Sequence, residues 1–88
     1  METWKLRQSA IENLAQVLST NLRHEIRGKI FQVENPESFF TGEIAKKLER
    51  LLQELSAFKN HGKFLREFDV PQEIAKIERE IRQLIERV

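Results

Sequence analysis

Residues 44–58 read IAKKLERLLQELSAF. The apolar positions are Ile44, Leu48, Leu51, Leu52, Leu55 and Phe58, and steps of three and four place them along one side of a 3.6-residue helix. Lys46, Lys47, Glu49, Arg50 and Glu54 take the opposite side. Such a helix is stabilised mainly by packing of its apolar face, not by propensity. The flanking segments must therefore cover this stripe, or a second copy of the chain must.

On the N-terminal side, Trp4, Ile11, Leu14, Leu18, Leu22, Ile26 and Ile30 recur at helical spacing, with Val17 at the edge of the stripe. The pattern predicts a long first helix from about residue 2 to 31. A rival start lies at Ala10, because Ser9-Ala10-Ile11-Glu12 has the form of a capping box. Trp4 shares the stripe with the later residues, which favours the earlier start. Ser19-Thr20-Asn21 is a soft spot in this helix, since short polar side chains compete for backbone groups. Asn35-Pro36-Glu37 then reads as N-cap, first helical residue and first-turn acid. This starts a second helix over about 36–60, with a rival start at Thr41 because Gly42 marks a break. The short loop predicts that helices one and two are antiparallel neighbours.

On the C-terminal side, His61-Gly62 ends the second helix, and His61 is better suited to capping carbonyls there than to binding metal. Phe64, Leu65 and Phe68 suggest one or two helical turns. Asp69-Val70-Pro71 starts a last helix over about 70–87. Its apolar residues Ile74, Ile77, Ile81, Leu84 and Val88 form a short zipper-like seam, and Glu78 and Arg82 have the spacing of an i,i+4 ion pair. The fold class expected is all-α: a single domain over residues 1–88, built as a small bundle of three main helices and completed by homodimerisation.

Composition narrows the chemistry. Eighty-eight residues make one small domain with a modest core. There is no cysteine, so disulfides, thiolate nucleophiles and cysteine-bound metals are excluded. The three glycines are widely spaced and form no phosphate-binding loop. Two histidines far apart, with no Glu-x-x-His pair, do not make a metal-carboxylate bundle site. Fifteen basic against 14 acidic residues give a net charge of +1, a balance that argues against a dedicated nucleic-acid binder. No apolar run approaches the ~20 residues of a membrane span, and no apolar core follows METWKLRQS to make a secretory signal. The expectations are a cytoplasmic location, no membrane, no cofactor and no small-molecule substrate.

The segment Leu22-Arg23-His24-Glu25-Ile26-Arg27 resembles the H-box of sensor histidine kinases and related phosphotransfer domains. The resemblance implies His24 as phosphoacceptor, Glu25 as the adjacent base, and a dimeric four-helix bundle. Where that family continues with Asn-Pro-Leu or Thr-Pro-Leu, this chain has Gly28-Lys29-Ile30. The competing reading of His24 is a solvated surface residue, and we adopt it. Arg23, His24, Arg27 and Lys29 also form a small basic patch, diluted by Glu25 and Glu34.

The aromatic residues suggest where a partner would sit. All six phenylalanines fall between Phe31 and Phe68. Most are expected in the core. Phe39 and Phe40 point about 100° apart in a helix, so one of them is an interface candidate. Ile77, Ile81, Leu84 and Val88 join them as the seam of a dimer. The function expected is non-catalytic: a self-associating protein–protein interaction, adaptor or small accessory subunit with a protein partner. Histidine phosphotransfer through His24 is the alternative.

Overall fold

The computed structural model describes residues 3–61 and 69–88, with side chains at 3–60 and 72–88. Gly62, Phe64, Leu65 and Phe68 lie outside the described residues, as do the side chains of His61 and Asp69 and the turns expected after Gly62. The described chain is helical, with helices α1 (Thr3–Leu14), α2 (Thr20–Ile30), α3 (Pro36–Thr41), α4 (Glu43–His61) and α5 (Asp69–Ile85). A 3₁₀ turn, Ala15–Val17, follows α1. The radius of gyration is 13.3 Å and the principal extents are 42 × 26 × 20 Å. Roughly 12 Å is expected for a spherical chain of this length, so the core is a column rather than a ball.

Two of the three expected helices are each broken in two. The first does start before Ala10, and Ser9 and Glu12 lie inside α1 rather than at a cap. It stops at Leu18 and Ser19, whose backbones are extended, with φ −78°, ψ 160° and φ −61°, ψ 157°. Ser19 becomes the N-cap of α2, its hydroxyl oxygen accepting from the Leu22 backbone N–H at 3.4 Å. The soft spot at Ser19-Thr20-Asn21 is thus a corner. The second helix starts at Pro36, with the Asn35 side-chain oxygen accepting from Ser38 N–H at 3.2 Å. It breaks at Gly42, which is extended and whose N–H closes on the Phe39 carbonyl at 3.1 Å. The Thr41 hydroxyl donates to the Glu37 carbonyl at 2.8 Å, which satisfies a carbonyl of this short helix. A Cβ at position 42 would lie 3.4 Å from two carbonyl oxygens, and φ is −85°, so the corner does not depend on glycine's conformational freedom.

The corner at Leu18-Ser19 changes the helix directions. Arg7 pairs with Glu49, and ten residues further along both segments the Lys59 ammonium donates to the Val17 carbonyl. Helix α1 therefore runs parallel to α4, not antiparallel. Helix α2 starts beside that Lys59 end and finishes with Phe31 against Phe40, ring centroids 6.0 Å apart. It runs opposite to α4 but packs mainly on α5, so only the direction, not the neighbour relation, matches the expectation for α2. Helix α1 packs on α3 and α4, α4 packs on α5, and α2 packs on α5.

The core runs through every helix. Ile11 from α1, Leu22, Ile26 and Ile30 from α2, and Phe40 from α3 are completely buried. So are Leu48, Leu52 and Leu55 from α4 and Ile81 from α5. Burying each such side chain contributes about 1.5–3 kcal/mol relative to exposure. The stripe of residues 44–58 is covered from both sides by the chain itself. Among the described residues no polar or charged side chain is fully buried.

Candidate functional site

The residues expected at an interface separate into two groups. Phe40, Ile77, Ile81 and Leu84 are 0%, 4%, 0% and 3% exposed. They lie in the core of one chain, so a partner could reach them only if the core opened. The physical reason is that α5 packs on α4 and α2 of its own chain. Phe39 is half-buried, with its ring edge-on to Phe40 at 5.0 Å. Val88 is 42% exposed at the end of α5.

His24 is exposed on α2, and Arg27 and Lys29 are exposed on the same helix, with Arg23 half-buried. The Glu25 carboxylate is engaged by Arg82 of α5 at 3.4 Å. Arg82 thus reaches across to α2 rather than pairing with Glu78 along its own helix. No group of three or more histidine, cysteine or acidic residues placed to hold a metal exists among the described residues. No helix of the described residues is long and apolar enough to cross a membrane. The surface clefts are shallow and lined by charged side chains, as where Lys47, Glu80, Gln83, Leu84 and Arg87 meet between α4 and α5.

Helix α1 presents a different surface. Its core face is made by Trp4, Ile11 and Ala15, with Leu14 and Val17 also packed against the core. Leu6 is 57% exposed. Ala10 follows it at helical spacing and is half-buried. Around them the exposed residues are mostly uncharged: Thr3, Ser9, Asn13 and Gln16, with Lys5 and Glu12 as the charged members. On α4, by contrast, Glu43, Lys46, Lys47, Arg50, Glu54 and Lys59 are all exposed. A charge-poor strip with an exposed leucine and an aliphatic neighbour has the composition of an interface centre.

Arg7 sets the position of α1. Its guanidinium donates to the Phe40 carbonyl at 2.9 Å and its Nε lies 3.5 Å from the Glu49 carboxylate. One side chain thereby ties α1 to the end of α3 and the middle of α4. The Nε contact is an ion pair, not a well-formed hydrogen bond. Nearby, Lys5 lies over the Trp4 ring at 5.6 Å. Leu6 and Arg7 are absent from the residues that spacing alone singles out. Arg7 was detectable, being a charge three residues after Trp4 and four before Ile11, on the core stripe. Leu6 carried no signal, since a single off-stripe leucine is common on surfaces.

No protein-family model, curated protein or solved structure matches the chain.

Proposed function

We propose that the chain is a non-catalytic protein–protein interaction or small accessory subunit that also self-associates as a homodimer. The observation that carries this reading is the charge-poor strip on α1, with Leu6 more than half exposed. A partner helix laid along Leu6 and Ala10 would remove apolar surface from water without stripping charges of their hydration. Arg7 links the helix that carries the strip to α3 and α4.

The test is affinity purification of the full chain and of Leu6→Asp from the source cells. The wild-type chain should retain a stoichiometric protein partner, and Leu6→Asp should lose it at least tenfold, with an unchanged helical spectrum. Equal recovery by both chains would place the contact elsewhere. Self-association is read separately, by sedimentation equilibrium of the purified chain.

The alternative reading, histidine phosphotransfer, is favoured by the exposure of His24 on α2. It ranks second because the carboxylate that would serve as base, Glu25, is already engaged by Arg82. It predicts a phosphate label on His24 from small phosphodonors that disappears in His24→Gln; an unlabelled wild-type chain removes it.

A further inference from the structure

We propose that two copies of this chain associate by exchanging α1, with Leu18-Ser19 as the hinge. The inference rests on the self-association reading above and specifies how it happens.

The sequence from Thr3 to Ile30 carries one apolar stripe at unbroken helical spacing: Trp4, Ile11, Leu18, Leu22, Ile26 and Ile30. In the structure the same stretch is two helices joined by a 3₁₀ turn and two extended residues. The same stripe therefore serves two backbones, the folded-back pair seen here and a continuous helix about 42 Å long. Only Leu18 and Ser19 must change from extended to helical. A 3₁₀ stretch next to such a joint is a common mark of a hinge. The side-chain cap at the corner is one long contact, Ser19 Oγ to Leu22 N–H at 3.4 Å, beside the Leu18 N–H bond to the Ala15 carbonyl at 3.0 Å and the Lys59 bond to the Val17 carbonyl.

Straightening the hinge pulls α1 off its own α4 and exposes the groove between α3 and α4. The occupant that fits this groove is the same α1 from a second copy. It restores the Arg7 bonds to the Phe40 carbonyl and Glu49, and it reburies Ile11 and Ala15. Directions agree: α1 is parallel to α4 and α2 runs opposite. Two straightened helices can therefore lie antiparallel about a two-fold axis, each delivering its α1 to the other chain. Such exchange is a low-cost route to a closed dimer because it reuses contacts the monomer already makes.

The backbone angles at the corner supply an unusually selective test. Ser19 has φ −61°, the value a proline ring imposes. Leu18 has the extended conformation required before proline. The Ser19 N–H makes no backbone hydrogen bond to lose. Ser19→Pro is thus compatible with the folded-back form and incompatible with the continuous helix. Ser19→Ala acts in reverse: it removes the cap and suits the helix interior. Loss of a cap is roughly a fivefold bias per hinge, so about thirtyfold for a dimer with two hinges.

The experiment is sedimentation equilibrium of the full chain, micromolar to millimolar, for wild type, Ser19→Ala, Ser19→Pro and Leu6→Asp, with circular dichroism to check folding. Exchange predicts that Ser19→Ala tightens the dimer about thirtyfold, that Ser19→Pro is a folded monomer throughout, and that Leu6→Asp dimerises like wild type. If Ser19→Pro fails to fold, the tightening by Ser19→Ala still decides. A folded Ser19→Pro that dimerises like wild type overturns exchange and leaves self-association standing. Monomers for both wild type and Ser19→Ala at every concentration overturn both.

Discussion

Ile81→Asp is expected to unfold the domain, not to separate two folded copies. Ile81 is completely buried, and α5 packs against α4 and α2 of its own chain. Ionised aspartate there has no partner, since no polar or charged side chain among the described residues is fully buried. A buried, unpaired carboxylate is among the few changes that cost more than about 4 kcal/mol. A domain of this size has about 5–10 kcal/mol of stability in total. The far-UV circular dichroism of Ile81→Asp should therefore show loss of most helix on mild warming. Val88→Asp is the control, because Val88 is 42% exposed, and it should stay within about 0.5 kcal/mol of wild type. A cooperative melt for Ile81→Asp near that of wild type would mean the seam is not core.

Arg7→Ala is expected to be the most costly removal of a surface-reaching charge. It deletes the bond to the Phe40 carbonyl and leaves Glu49, whose side chain is 24% exposed, without its cation. Together these should cost about 2–3 kcal/mol, which for a domain of this length lowers the melting temperature by roughly 10–20 °C. Lys46→Ala provides the comparison. The Lys46–Glu43 pair spans 3.7 Å with the Glu43 side chain 93% exposed, and exposed pairs contribute about 0–1 kcal/mol. Equal melting temperatures for the two variants would remove Arg7 as the tie between α1, α3 and α4.

The sequence was most readable where one residue type has one physical task. Asn35 and Pro36 mark a helix start because a side-chain acceptor and a fixed φ suit that position, and α3 begins there. The all-helical character followed from periodicity and from few glycines and prolines. Continuity was not readable in the same way. Spacing constrains which face a residue occupies, and a break that preserves the face, as at Leu18-Ser19, leaves the stripe intact. The last helix illustrates a second limit. The seam Ile77, Ile81 and Leu84 is apolar whether α4 of the same chain or another chain covers it, and only the tertiary fold shows which. For the candidate surface the difficulty is reversed. Leu6 gains meaning from the lack of charge around α1 and from what α1 already packs against, and both depend on the fold.

In the proposed function, α1 is the part of the molecule through which the chain meets other proteins, including its own copies. Sedimentation equilibrium of the unmodified chain, from micromolar to millimolar concentration, tests this most directly. A reversible monomer–dimer equilibrium is predicted, with the dimer fraction rising with concentration. A single monomeric species across the whole range would contradict it.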